Sequence, residues 1–465
     1  MKMLFLDVAW NHPTFIYLIA FLLALAVNVF SWHLPFFWDT LLTSTITQHF
    51  YEDGLQSFIA PPRWDVGHPP LFYLYLTAFY HLFGKSLFSA HAALLPFTIT
   101  GFFSFLLLLK YFSISGKQQW IGLLLFIGIP AVITQNLLVS YDAVLLSLYL
   151  LALVSILKDK KFLLVLSAII IAGVSIRGLF CLAALSITIY FWMKRDLKKW
   201  IQWNLLFIPA VLLAASWYYY HFLMTGWVFA TNSQEWSAQR GIVGLGGMVK
   251  NVFSIGRAMF DYGAVILSVL GLFYLFSIRK LDILVLLWLI PLVIFSLLVL
   301  PFSNPINHRY FLVVYVLMLP SVILVLSERR IIFTIFTFFL LLLGNFQIYP
   351  SSISNGWDCT LAHVPYHTGM SRFIEYCNIN KFVDKKGIGT VFPMNVSTYQ
   401  YKMDDNRDRL INVNGHSLDT VAFVLYSNVG NDFSEEQLIQ LKHWKSVWMH
   451  KKGLVELNLL KNPQK

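Results

Sequence analysis

The sequence predicts an α-helical polytopic membrane protein with about eleven transmembrane helices, interfacial helices in the first outer loop, and a small C-terminal soluble α/β domain. Three observations carry this expectation. Of 465 residues, 58% are hydrophobic and only 12% are charged, whereas a soluble domain carries about 25% charged residues. Apolar runs near the bilayer-spanning length of about 20 residues recur along the chain. Loops rich in Lys and Arg alternate with loops that are not.

The apolar runs lie at 14–34, 91–112, 119–138, 141–157, 161–176, 178–193, 201–222, 260–278, 283–301, 308–326 and 331–349. The segment 69–83 is also apolar, but it carries His81 and follows two prolines, so it reads as a helix lying in the interface. Basic residues fall in alternate loops: Lys110 and Lys117; Lys158, Lys160 and Lys161; Lys194, Arg195, Lys198 and Lys199; Arg279 and Lys280; Arg329 and Arg330. The positive-inside rule makes that side cytoplasmic. Residues 35–90, 223–259 and 350–465 are then extracytoplasmic, and the expected location is a bacterial inner membrane. Much of the formal charge of +11 sits in these short loops, so no nucleic-acid partner is implied. The first run lacks a small-residue cleavage site and is expected to stay as an anchor.

Residues 1–349 thus form a transmembrane domain, and the composition changes beyond it. Residues 350–465 alternate short apolar strands, such as Gly389 to Phe392 and Val421 to Tyr426, with a charged helical stretch from Ser434 to Lys445. Ser434 is a candidate cap, with Leu438, Leu441 and Trp444 on one face. Cys359 and Cys377 share the oxidising side, where a disulfide is permitted. No internal repeat, phosphate-cradling glycine loop or metal-spaced Cys/His cluster is visible.

The outer loops carry the unusual polar residues. The first is about 55 residues long, too long for a mere connector, and holds Asp39, Asp65 and His68. An acid at the mouth of a spanning helix suits a general base for an incoming hydroxyl or amine; the plainer reading of Asp39 is a solvated helix end. Asp65 either orients a neighbour or caps the turn before Gly67, and His68 either meets a phosphate or a carboxylate or is structural. Tyr141-Asp142 opens the fourth run, Arg177-Gly178 lies at the outer turn between the fifth and sixth, and His308-Arg309-Tyr310 opens the tenth. Ionisable residues at such depths are costly unless paired or functional. Singly, each cation is a snorkelling anchor. Jointly, Asp39 and Asp142 with His68, Arg177, His308 and Arg309 make an acidic centre flanked by cations, suited to attack on a carbon that bears a phosphate leaving group. Trp217, Tyr218, Tyr219, Tyr220, Trp227 and Trp236, in 217–236, suit either an interfacial belt or stacking on sugar faces.

At these residues the chain resembles a known family. An acid in a long first outer loop, Asp65-Val66-Gly67-His68-Pro69-Pro70-Leu71, Phe83-Gly84, Tyr141-Asp142-Ala143, Arg177-Gly178 and Arg309-Tyr310 through Pro320 are similar to the C-type glycosyltransferase superfamily, most of all to protein O-mannosyltransferases and lipid A aminoarabinose transferases. The resemblance spans residues 14–326. It departs at Arg177, where the family usually has Lys, and at Asp39-Thr40, where many members have Asp-Glu. It implies transfer of a sugar from a polyprenyl-phosphate donor to a glycan, lipid or protein acceptor on the outer face, with inversion. Asp39 then matches the catalytic acid, Asp142 the second carboxylate and His68 a position often held by Lys or His, while Asp65, Tyr141, Arg177, His308, Arg309 and Tyr310 would bind substrate. Members differ in their need for a divalent metal, so a metal is allowed and not required. A lipid-linked polysaccharide polymerase or ligase, and a secondary transporter with inverted repeats and broken helices, are the competing readings.

Overall fold

The structure, a computed structural model, describes residues 13–278, 282–303, 306–348, 356–380, 387–397, 410–430 and 432–465. It divides into two compact units, one of residues up to His33 together with Thr45–Gly344, the other of Leu34–Ser44 together with Asn345–Lys465.

The first unit is helical, and its length and apolarity make the protein a membrane protein. Each of the predicted apolar runs holds helix. Among the described residues, four helical stretches are long and apolar enough to cross a membrane: Thr14–Ser31, Leu87–Tyr111, Leu197–Asn232 and His308–Ser327. Two bent pairs raise this to six if each pair is one span. The remaining apolar helices are shorter, among them Tyr141–Leu157, Lys161–Val174, Ile176–Trp192 and Ile283–Val299.

Both bends have local causes. Lys117–Gly128 and Pro130–Leu137 meet at 66°, where Pro130 removes a backbone donor and cannot continue the preceding helix. Leu245–Phe260 and Ala264–Ser277 meet at 92°, around Tyr262 and Gly263, both with positive φ. The sequence reading left 223–259 as loop. There the structure has the helix Leu245–Phe260, whose exposed Leu245, Val249, Val252, Phe253 and Phe260 form one apolar stripe. Likewise Trp217–Tyr220 lie on the helix Ile208–Thr225 and not in a loop, and Lys198 and Lys199 lie on the first turns of Leu197–Asn204. Arg279 and Lys280 lie outside the described residues.

Two helices form the centre of this unit. Almost every residue of Tyr141–Leu157 and of Leu312–Ser327 is buried, whereas Leu197–Asn232 is mostly exposed. The helices whose N-termini carry Asp142 and, one turn earlier, His308 to Tyr310 are therefore the ones held most firmly from all sides.

The second unit contains a five-stranded sheet of order β2-β1-β3-β5-β4, with β1 Ile388–Thr390, β2 Leu410–Asn412, β3 Phe423–Ser427, β4 Lys445–Lys452 and β5 Val455–Lys461. β1 pairs in parallel with β2 and β3, while β5 runs antiparallel to β3 and β4. The helix Val364–Ile379 packs on β4 and β5, with Phe373 against Trp448 at 5.6 Å between ring centroids. Ser434 caps Glu435–Leu441 through a reciprocal capping box with Gln437. Cys181, Cys359 and Cys377 are all buried and none is in a disulfide, so the permitted bridge is not formed.

Leu34–Ser44 is bound into this unit by two aromatic side chains. Phe37 is fully buried and stacks on His363 at 4.5 Å with 16° between the planes, with Tyr366 and His367 at its edges. Trp38, at a left-handed φ of 55°, packs edge-on against Phe392.

Candidate active site

Three helix starts build the charged centre of the first unit. Ser140 precedes Tyr141–Leu157 and accepts the Asp142 amide at 3.1 Å, and Ser175 precedes Ile176–Trp192 and accepts the Arg177 amide at 3.0 Å. These caps fix the direction in which each following side chain leaves its helix. Gly178 lets the chain reverse between Lys161–Val174 and Ile176–Trp192, because a Cβ there would overlap the carbonyl of Ile171. The third start is the 3₁₀ turn His308–Phe311, which leads into Leu312–Ser327.

At their meeting point Arg177 Nη1 lies 2.5 Å from Asp142 Oδ1, with both side chains largely buried. Arg177 Nη2 donates to the Tyr141 hydroxyl at 2.8 Å. Its guanidinium also lies between two rings, 4.9 Å from the Tyr141 centroid and 4.7 Å from that of Tyr310. Arg309 Nε stands 4.0 Å from Asp142 Oδ2. One carboxylate thus faces two guanidinium groups. Asp142, Arg177, Arg309 and Tyr310 line a tight cleft together with apolar side chains, including Leu146, Phe295, Leu298 and Val313.

His68 joins this centre from the first outer loop, its Nε2 3.4 Å from the Tyr141 hydroxyl. Burial, followed by the charges of Arg240, Arg177 and Arg309, holds its imidazole well below the usual histidine range. It is therefore neutral near pH 7, and the reading that counted it among the flanking cations is corrected: His68 is an uncharged neighbour of Arg177 and Arg309. Asp65, three residues earlier, is buried with both oxygens engaged. Oδ1 accepts the Gly67 amide at 2.9 Å and Oδ2 meets His221 Nε2 at 2.8 Å. His308 is bound to Asp261, which also lies 3.7 Å from Arg257, and its ring packs at a tilt against Tyr262, 4.3 Å between centroids.

The structure therefore brings Tyr141, Asp142, Arg177, Arg309, Tyr310 and His68 into one group. It joins Asp65 to His221 and His308 to Asp261, two partners that the sequence reading did not single out. Asp261 could have been noticed as a lone acid between apolar runs, and His221 as a lone histidine ending an aromatic run. Asp39 belongs to the second unit, where its carbonyl accepts the Leu42 amide at the start of Thr40–Glu52. Among the described residues no group of three or more His, Cys, Asp or Glu side chains is placed to hold a metal ion.

The solved structure of ArnT from Cupriavidus metallidurans bound to undecaprenyl phosphate matches this chain with a TM-score of 0.56 at 12% identity, covering 97% of this chain and 99% of that one. The chain has the ArnT fold. The apo state of ArnT matches with a TM-score of 0.56 at 10% identity, over 95% of this chain and 97% of that one. Arabinofuranosyltransferase AftD from Mycobacteria aligns with 97% of this chain but 40% of its own, at 12% identity and a TM-score of 0.48. No protein-family model and no curated protein sequence matches the chain. The similarity is one of fold, over nearly the whole chain of ArnT as well as of this one.

Proposed function

We propose that the protein is a membrane glycosyltransferase that moves a sugar from a polyprenyl-phosphate donor to an acceptor on the extracytoplasmic face, with inversion at the anomeric carbon. The observation that carries this reading is the tight cleft in which Arg177, Arg309 and Asp142 come together with apolar side chains. The guanidinium groups would meet a phosphate, and the apolar side chains suit an isoprenoid chain. Arginine also holds phosphate by paired, charge-assisted bonds. The fold shared with ArnT, solved with undecaprenyl phosphate, supports the same ligand class.

In the proposed reaction an acceptor hydroxyl or amine attacks the anomeric carbon from the face opposite the phosphate. The new bond forms as the carbon–oxygen bond to phosphate breaks. Asp39, proposed from its place in the first outer loop, takes the acceptor proton. Arg177 and Arg309 stabilise the negative charge that grows on the departing phosphate. Asp142 holds the two guanidinium groups in place, and Tyr141, hydrogen-bonded to Arg177 and facing His68, orients the first of them. In this proposal residues 1–349 carry the transfer chemistry, and residues 350–465 form an extracytoplasmic domain.

The test is extraction of the lipid that copurifies with the protein, identified by mass spectrometry, followed by transfer from a labelled polyprenyl-phosphate sugar in reconstituted vesicles. A copurifying polyprenyl phosphate and label moving to an acceptor are the expected results. Retention of the label on the donor with every acceptor class, while the sugar crosses the membrane, would point to transport instead.

A further inference from the structure

The geometry points to His221 and Asp65 as a buried latch that seats the Gly67-His68 turn, making His221 a positioning residue for the site proposed above; this rests on that reading of function. The two residues are 156 positions apart in sequence and yet joined by a 2.8 Å hydrogen bond, with His221 fully buried and Asp65 nearly so. An isolated charge so placed would be strongly unfavourable, so the pair exists only while the first outer loop is docked on the helix Ile208–Thr225.

Three further contacts make the docking specific. Asp65 Oδ1 takes the Gly67 amide, so the same carboxylate that reaches the helix also shapes the turn. Gly67 has a φ of 73° and lies against the Trp227 ring, which a Cβ would approach to 2.9 Å; only glycine meets both demands. His221 is enclosed by Trp217 at 4.8 Å and Trp227 at 4.5 Å, and its Nδ1 lies 3.0 Å from the Trp227 carbonyl. Trp217 and Trp227 thus wall the latch.

His68 is the next residue after this clamped turn, and its Nε2 reaches the Tyr141 hydroxyl that accepts from Arg177. A chain of contacts therefore runs from His221 through Asp65, the turn and Tyr141 to the guanidinium proposed to hold phosphate. Releasing the latch leaves the Arg177–Asp142 pair intact but frees His68 and with it the orientation of Tyr141.

The test uses the full chain in nanodiscs, with His68 reactivity towards diethyl pyrocarbonate read by mass spectrometry and transfer kinetics read per lipid-binding site. His221→Asn withdraws the group that faces Asp65, whereas His221→Gln places an amide nitrogen near the position of Nε2. We expect His68 to be modified several-fold faster in His221→Asn and slowly again in His221→Gln. We also expect kcat to fall by up to about a hundredfold in His221→Asn, the scale of a small misplacement in a site, with the donor KM unchanged. If His221→Asn does not fold, Asp65→Asn replaces it, because it keeps the oxygen that accepts from Gly67. Equal protection of His68 in wild type and His221→Asn overturns the latch, and wild-type kcat with a released His68 overturns the positioning role. A wild-type protein that transfers nothing overturns the functional reading alone, since His68 protection still decides the latch.

Discussion

Acidification should loosen the second unit through one histidine. His363 Nδ1 donates to the Thr360 carbonyl at 2.7 Å, its Nε2 is buried without a hydrogen-bond partner, and its ring lies flat against Phe37. Burial pulls its pKa down to about 4 against the ordinary 6.5, with the Thr360 bond only partly opposing. Between these values the unfolded chain binds a proton that the folded chain refuses, so stability rises with pH across this window and falls as the pH drops. At about 1.4 kcal/mol for each tenfold in the equilibrium, the gap amounts to about 3 kcal/mol, most of it gone by about pH 4.5. The perturbation is His363→Asn, whose side-chain amide can still donate to Thr360 but cannot titrate. Urea-dependent pulse proteolysis of the full-length protein, read on peptides of 356–380 between pH 7.5 and 4.5, gives the stability of both proteins. Other histidines and carboxylates act on both alike, so the quantity of interest is the difference between the two curves. The variant should be weaker at neutral pH and lose about 3 kcal/mol less on acidification. Parallel curves would refute the assignment of this loss to His363.

Asp39→Asn should keep wild-type expression and thermal stability while lowering transfer by about 10²–10⁴-fold, the range for loss of a general base; undiminished turnover removes Asp39 from the chemistry. Arg177→Lys and Arg309→Lys should each weaken binding of a polyprenyl phosphate by about ten- to a hundredfold in a lipid-binding titration, because lysine cannot reproduce paired guanidinium bonds. Unchanged affinity in both would make them snorkelling anchors. In a background without native cysteines, a cysteine at position 237 should react with a membrane-impermeant thiol reagent in intact spheroplasts and one at position 198 only after lysis. Labelling at 198 from outside inverts the orientation.

How far the sequence could be read follows from the range of the forces involved. Apolar runs report burial and lipid contact locally, so helices formed wherever such runs were long, and Ser434, Ser140 and Ser175 act on residues two or three positions away. Motif spacing also marked Tyr141-Asp142, Arg177-Gly178 and Arg309-Tyr310, because each sits at the start of a buried helix and needs only local geometry to do so. Partners over long sequence separations were illegible. Nothing at Asp65 announces His221, and nothing at His308 announces Asp261. The helix Leu245–Phe260 was passed over because its stripe is interrupted by Gly246, Gly247 and Gly256 and flanked by Lys250 and Arg257, so its mean apolarity resembles that of a loop. The grouping of Leu34–Ser44 with the C-terminal residues depends on Phe37 and Trp38 finding rings more than 300 positions away.

The residue whose meaning changes most is Asp142. Sequence alone offers two carboxylates, Asp39 and Asp142, as an acidic centre, and a second acid near a base is a natural guess for proton transfer. Placed 2.5 Å from one guanidinium and 4.0 Å from another, Asp142 is committed to counterbalancing charge. Removing one partner of such a buried pair costs about 3–5 kcal/mol, because the other charge is left without compensation. Without Asp142, Arg177 and Arg309 would be like charges facing each other in a buried site, so the carboxylate that touches both holds them side by side. In the proposed function that is its part in the chemistry: it keeps two guanidinium groups in the orientation in which a phosphate could meet them.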